Sequence, residues 1–596
     1  MSEVSGNAFD WKLLRWVLGY TRPYRNLFSL AIFLTITLSF MSIGRPMLIR
    51  YTVNHFVQIP DSPSHESYLL EHLLLFTIIM IGLLVLESVM QFVNGYTTSL
   101  IGQHIVKDLR VQMHRKIIHF KSTYFDNTPI GTLVTRVISD IEAINDVFSQ
   151  GFIVIAGDLL TIVVYLSAML YVNWKITLVV LTTIPLMFLA TWIFKNAVKK
   201  SFTDVRNQVS RLNAFVQEHI TGMLIVQVFN REKTEYEKFK EINAKHRDAN
   251  VRSVWYYSVF FPVVEILVSV SLGLLVWFAG KQIYGQFADP GDVTFFVLLI
   301  NQFFRPIRML ADRINTLQMG MVASERVFKV LDTDASISNE GERSAAAING
   351  EISFKEVWFA YKNEDWVLKG ISFDVHPGET IALVGATGSG KTSIINLLNR
   401  NYEFNKGAIE IDGQDIRSYE LNSLRSEIGV VLQDVFLFSD SILNNITLNN
   451  PDITEEQVIA AAKAVGVHDF IMSLPGGYHY NVQESGSMLS VGQRQLLAFI
   501  RAYVYNPRIL VLDEATSSID TESEFLIQKA TAEITRGRTS IVIAHRLATI
   551  QKATKILVMD HGQIIESGSH HELLAKDGQY KKLFELQFHS HPELKQ

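Results

Sequence analysis

Five long apolar stretches decide what the first half of this chain can fold into. Leu27–Gly44 runs 18 residues without a charge, and His72–Leu86 continues past Glu87 to His104. Phe152–Trp174 is broken only by Asp158, Ile176–Phe194 runs 19 residues without a charge, and Val254–Gly280 is broken only by Glu265. About 20 apolar residues span the hydrocarbon core of a bilayer. A buried core helix is shorter, and five such runs leave the membrane as their only solvent. Val293–Phe304 is shorter and continues into a polar helix; it is read as a sixth span because an even number returns the chain to its starting side. The hydrophobic content of 48% agrees with a chain that meets lipid over part of its length.

The basic residues orient these spans. Tyr51–Ser67 holds neither Lys nor Arg, whereas His104–Lys121 holds Lys107, Arg110, Arg115, Lys116 and Lys121, and Asn196–His246 is also rich in them. The long connections and both termini are therefore expected in the cytoplasm, which makes the chain a multi-pass protein of the cytoplasmic (inner) membrane. Ser99–Ile130 and Lys195–Val254 keep apolar spacing along polar helix formers. They read as membrane helices running on for roughly 20–25 Å beyond the bilayer at about 1.5 Å per residue. Two breaks, Thr123–Pro129 and Glu218–Met223, are expected to form short transverse helices at the hairpin tips. Trp11–Val17 is amphipathic, with two tryptophans, and suits a helix lying in the interface.

The chain has no cysteine, which excludes disulfides, zinc thiolates and a thiol nucleophile. Its net charge of −5 argues against a nucleic-acid binder. Met1–Asp10 lacks the pattern of a cleaved signal. The expected organisation is an interfacial segment at 1–26, an all-α six-helix membrane domain at 27–331, a polar linker at 332–349 and an α/β domain of the P-loop type at 350–596.

The last of these carries Gly385-Ala386-Thr387-Gly388-Ser389-Gly390-Lys391-Thr392, which matches G-x-x-x-x-G-K-[ST]. An apolar strand, Ile381–Val384, precedes it and an amphipathic helix follows from Ser393. That context is what a phosphate cradle needs: glycines let backbone N–H groups close on phosphate, and the helix N-terminus adds its positive end. Lys391 is then the residue for the β- and γ-phosphates and Thr392 a ligand for Mg²⁺. Arg508–Glu514 is an apolar strand ending in two carboxylates. Asp513 is placed to hold Mg²⁺ and Glu514 to polarise the attacking water. Gln433 follows the apolar run Gly429–Leu432 and is a candidate for Mg²⁺ or for orienting water. His545 follows Ser540–Ala544 and is a candidate contact to the γ-phosphate. Tyr361 is a candidate for stacking on a base. Leu489-Ser490-Val491-Gly492-Gln493 stands just before the helix Leu496–Val504.

Taken in this order, the motifs resemble those of the ATP-binding cassette exporters whose six membrane helices are fused to a cassette, and the likeness covers nearly the whole chain. Tyr361 falls on the aromatic loop, Gly385–Thr392 on Walker A, Gln433 on the Q-loop, Leu489–Gln493 on the signature, Ile509–Glu514 on Walker B, Ser517–Asp520 on the D-loop and His545 on the switch. The resemblance implies ATP and Mg²⁺ as cofactors. It also implies that two cassettes close head to tail, the signature of one meeting the γ-phosphate held by the other, so that this half-transporter must dimerise. Ser490, Val491, Gly492, Gln493 and Asp520 then contact a nucleotide held across that interface.

Two departures stand out. Val491 replaces the usual first glycine of the signature, and Gln483–Ser487 lacks the usual form. If the position of Val491 needs φ above zero, a β-branched residue strains it. With Glu514 and His545 intact, this combination points towards one partner of an asymmetric heterodimer over a homodimer. The implied activity is ATP-driven export of a hydrophobic or amphiphilic substrate by alternating access. A flippase for lipids or lipid-linked glycans, and an ATP-gated channel or regulatory subunit, use the same motifs. Glu87, Asp158, Glu265, Phe303 and Phe304 are the candidate substrate residues, the acids because a charge inside a membrane is costly unless used or paired. Acids facing a cavity would favour cationic amphiphiles.

Overall fold

The computed structural model describes residues 11–57, 65–284, 289–337, 339, 341–514, 521–544 and 547–588. The chain divides into two compact units, Met1–Ile118 with Ile130–Thr333, and His119–Pro129 with Asp334–Gln596.

The first unit is helical. Among the described residues five stretches are long and apolar enough to cross a membrane: Arg22–Phe56, His72–Ile117, Ile130–Leu181, Glu232–Lys281 and Pro290–Asp332. The third is divided at Asn173, whose backbone is extended (φ −159°, ψ 104°). The Asn173 side-chain oxygen accepts hydrogen bonds from the backbone N–H groups of Lys175 (3.1 Å) and Ile176 (3.2 Å). This is N-cap chemistry, so one helix ends before Asn173 and another begins after it. The expected third and fourth spans meet here. The fourth, expected as one run from Ile176 to Phe194, is itself interrupted between Leu181 and Ile184. The hydroxyls of Thr182 and Thr183 donate to the carbonyls of Val179 and Val180 (2.6 and 2.9 Å), and Pro185 opens the next helix. Local side-chain bonds compete there with the helix ladder, and proline lacks the N–H to rejoin it.

The helices run far beyond a bilayer's thickness, with 53 residues in His65–Ile117 and 53 in Glu232–Tyr284. Helix Ile184–Thr221 ends at Gly222, and a six-residue helix, Met223–Val228, follows. At the chain's start, helix Trp11–Gly19 buries Leu14 and Val17 and leaves Trp11 exposed. Trp16 meets Phe328 edge-on at 5.0 Å.

The second unit is α/β. Its strands are β1 (Ile352–Ala360), β2 (Trp366–Val375), β3 (Thr380–Gly385), β4 (Lys406–Ile411), β5 (Gln414–Asp415), β6 (Ile428–Val431), β7 (Ile509–Glu514), β8 (Thr539–Ala544), β9 (Lys555–Asp560) and β10 (Gln563–Gly568). An antiparallel sheet has the order β2-β1-β4-β5, and a six-stranded sheet the order β10-β9-β3-β8-β7-β6. In the larger sheet β9, β3, β8, β7 and β6 are parallel, and only β10 runs against them. The central strands read as continuous apolar runs because both faces are covered: all six residues of β8 are buried. Part of the segment expected as a linker is pinned to this unit. Arg343 exchanges backbone hydrogen bonds with Ser418 and Glu420 (3.2 and 2.9 Å), and Ala345 is buried.

Candidate functional site

The sheet order gathers the sequence motifs. β3, β8, β7 and β6 are consecutive parallel neighbours, so their C-terminal ends lie on one edge. Gly385 ends β3, Glu514 ends β7 paired with Ala544 of β8, and Gln433 lies two residues past the end of β6. In an open α/β sheet, ligands bind outside the carboxyl ends of the strands. His545 and Asp520 lie outside the described residues, as does the side chain of Glu514.

The loop Gly385–Gly390 leads into helix Lys391–Leu398. Two glycines are required by its shape. Gly390 has φ +102°, and a Cβ there would stand 2.7 Å from the Leu368 side chain. A Cβ on Gly385 would stand 2.2 Å from the carbonyl oxygen of Met559 on β9. The ammonium of Lys391 donates to the carbonyl oxygens of Gly385 (2.8 Å) and Ala386 (2.9 Å). Burial pushes its pKa down, against the attraction of Asp513. Asp513 is 7% exposed, and its carboxyl is pushed up by burial and by Asp434, with Lys391 opposing. Both groups thus sit in a dry spot where a counter-charge would be strongly felt.

The site fits a magnesium–nucleotide on its own chemistry. Among the described residues no hydrogen bond occupies the backbone N–H groups of Gly388, Gly390, Lys391 or Thr392, which surround the start of a helix. That is a donor-only cradle for an anion. Thr392 and Gln433 are exposed and Asp513 is buried beside the loop, giving an all-oxygen donor set that suits a hard cation. Tyr361, 39% exposed, holds its hydroxyl 3.0 Å from that of Ser393 in the helix after the loop.

Residues 28–307 match the family model of the ABC transporter transmembrane region, and residues 368–517 that of the ABC transporter. The chain is 35% identical, over 98% of its length and 96% of the relative's, to an uncharacterized ABC transporter ATP-binding protein, YknV of Bacillus subtilis (strain 168). It is 34% identical, over 98% of its length and 99% of the relative's, to an ATP-dependent lipid A-core flippase of Chromohalobacter salexigens. It is also 34% identical, over 95% and 98%, to YgaD of Bacillus subtilis (strain 168), provisionally named a multidrug export ATP-binding/permease protein. The chain belongs to the ABC transporter family. It is an ATP-hydrolysing transporter, integral to a membrane and multi-pass, of a kind that functions as a dimer.

The backbone of the transporter's signature is unstrained at Val491. Ser490 is the N-cap of helix Val491–Val504 (φ −65°, ψ 163°), and Val491 is the first helical residue, outside the positive-φ set. Its backbone makes no demand that glycine alone meets. The strain lies upstream. Gln483 has φ 63° and ψ −169°, a region used almost only by glycine, and Ser485 is left-handed at φ 54°.

In the membrane unit the candidate acids are paired. Glu87 and Arg45 are 3.1 Å apart, and Asp158 and Arg313 also 3.1 Å. Among the described residues Glu265 makes one long contact, 3.8 Å, to Arg308, and its side chain is 71% exposed. Phe303 and Phe304 are buried, in one hydrophobic cluster with Phe295, Phe296 and Tyr165. Large rings at helical spacing serve the core as readily as a binding surface. Glu265 lies on an open, largely apolar face of helix Glu232–Tyr284 with Phe261, Pro262, Ile266, Ser269 and Val270. Arg45, Arg308 and Arg313 were missed from sequence; the signal was that each acid within a span calls for a cation on another helix.

Proposed function

We propose that the transporter exports a hydrophobic or amphiphilic substrate across the cytoplasmic membrane by alternating access, with its cassette on the cytoplasmic side. The observation that carries this is the gathering of Gly385, Gln433, Asp513 and Glu514 on one sheet edge, in a chain that matches a multidrug-export relative over 95% of its length and a lipid A-core flippase over 98%. Lys391 and the N–H groups of the loop hold the phosphates. Thr392, Asp513 and Gln433 hold Mg²⁺, Tyr361 stacks on the base, and Glu514 takes the proton of the attacking water with His545 at the γ-phosphate. Bound MgATP supplies a phosphoanhydride bond whose cleavage resets the closed dimer. Ser490, Val491, Gly492, Gln493 and Asp520 complete the site of the other protomer.

The unstrained backbone at Val491 supports a signature that works in a pair of identical chains, and it removes one reason for an asymmetric partner. Robust ATPase from the chain purified alone supports the homodimer; activity that needs a related half-transporter supports the heterodimer. Glu265, exposed on an apolar helix face, supports an amphiphile with a cationic group. The lipid-flippase reading uses the same cassette and rests on the relatives of that name. Glu514→Gln tests the central claim. It should keep ATP binding and lose most turnover, and wild-type ATPase from that variant refutes the assignment of the base.

A further inference from the structure

One hydrogen bond in the second unit joins residues 276 positions apart. The hydroxyl of Tyr402 donates to Asp126 Oδ2 at 2.7 Å. Asp126 lies in the short helix Ser122–Asn127, at the first of the two breaks expected in the long helical connections. That helix is fastened from behind. Lys121 N–H donates to the carbonyl of Ala335 at 2.8 Å, Phe120 bridges to Ser336 in antiparallel fashion, and the Phe120 side chain is buried.

On its other side Tyr402 meets the nucleotide site. Its ring stands perpendicular to that of Tyr361, with centroids 5.1 Å apart and planes at 86°. Phe359 closes the triangle, edge-on to both rings at 4.7 and 5.8 Å. Edge-to-face contacts fix the angle of a ring as well as its position. Tyr361 is fixed at its far end by Ser393 of the helix that begins at Lys391. Its plane is therefore set by Phe359 and Tyr402, and that of Tyr402 by a hydrogen bond to a carboxylate, among the stronger neutral-donor bonds a side chain makes. Burial first, and Asp126 second, push the Tyr402 phenol well above its ordinary pKa, so it remains a donor at physiological pH.

We infer that Tyr402 is a positioning residue for the nucleotide base: it transmits the placement of helix Ser122–Asn127, through its bond to Asp126, to the ring plane of Tyr361. This rests on the reading of Tyr361 as the base-stacking residue. The phosphate cradle is built from other residues, so the effect belongs to the base and not to the phosphates. When helix Ser122–Asn127 is in place, Tyr361 presents a fixed face to adenine. When the bond to Asp126 is lost, the ring loses one of the contacts that hold it.

The test uses the full-length chain in detergent and compares the affinities of MgATP and magnesium tripolyphosphate by calorimetry. Tyr402→Phe keeps the ring and removes the hydrogen bond. It should weaken MgATP about three- to tenfold and leave tripolyphosphate unchanged. Asp126→Ala should do the same, whereas Asp126→Asn, which still offers an acceptor oxygen, should restore most of the affinity. Tyr402→Phe combined with Asp126→Ala should be no worse than either alone. Equal loss of both ligands, or additive losses in the double variant, overturns the inference. Tyr361→Ala separates the two layers. If it lowers the preference for MgATP and the Tyr402 and Asp126 variants do not, the relay fails and the base-stacking reading stands. If it leaves the preference unchanged, the base-stacking reading fails and takes the relay with it.

Discussion

Ser490 and Gln493 cap one helix reciprocally: Gln493 N–H donates to Ser490 Oγ at 3.2 Å, and Ser490 N–H donates to Gln493 Oε1 at 2.9 Å. This capping box fixes the start of helix Val491–Val504 and holds Val491 in the helical region. The departure of the signature from its family form therefore concerns a side chain and not a backbone. Val491→Gly should lower the stability of the full chain by a few tenths of a kcal/mol, because glycine is the poorer helix residue. A rise in thermal midpoint for this variant would mean that Val491 is strained after all.

The opposite sign is expected eight residues earlier. Gln483 occupies backbone space that costs a non-glycine residue about 1–3 kcal/mol. Gln483→Gly should recover part of that and raise the midpoint of the cassette transition in a thermal scan. Gln483→Ala, which keeps a Cβ, should not. An equal gain from both variants would place the effect in the glutamine side chain.

These two neighbouring positions show where sequence reading succeeds and where it stops. Gly385–Thr392 was legible because the local chain alone makes the cradle: strand, glycine turn, helix start. The apolar stretches were legible because their length has one physical solution. The backbone at Val491 stayed open in the sequence because a family pattern says which residue is usual and not which φ it adopts; only the position of the N-cap, one residue earlier, settles that conformation. Pairing of the intramembrane acids was legible as a need, but the choice of Arg45 for Glu87 and of Arg313 for Asp158 was not, because partners on different helices follow from tertiary packing. The break at Asn173 was legible, because the charge of Lys175 separates two apolar runs there, whereas the interruption between Leu181 and Ile184 was hidden inside an uncharged run.

His219 ties the tip of one helical hairpin. Its Nδ1 is 2.8 Å from the Phe215 carbonyl oxygen and its Nε2 is 2.9 Å from Glu235. Both ring nitrogens face acceptors, which suits the imidazolium, a donor at both. The hydrogen bond to Glu235, then that to Phe215, raise the pKa above 6.5, and Glu218 adds to this. Lys238 shares Glu235 at 2.8 Å and competes for it. A raised folded-state pKa gives stability that is fully present below 6.5 and is lost as pH rises through the higher folded value. Hydrogen exchange in the 215–235 segment, corrected for the intrinsic rate, should therefore quicken between pH 6 and pH 8. Glu235→Gln should flatten that dependence, and a wild-type profile that does not change with pH removes the role of the pair.

The pairing of Asp158 with Arg313 makes the last prediction, since it decides whether this acid is available to a substrate. Their contact is 3.1 Å, with side chains 19% and 23% exposed. Breaking a largely buried pair strands the remaining charge, at up to about 3–5 kcal/mol, whereas removing both charges is nearly neutral. Arg313→Met should thus lower the yield of folded transporter and its thermal midpoint more than Asp158→Asn with Arg313→Gln does. A structural pair predicts that the double variant regains most of the stability and keeps basal ATPase. If the single Asp158→Asn variant is as stable as wild type yet loses stimulation of ATPase by cationic amphiphiles, the acid serves the substrate, and the arginine beside it is a gate and not a prop.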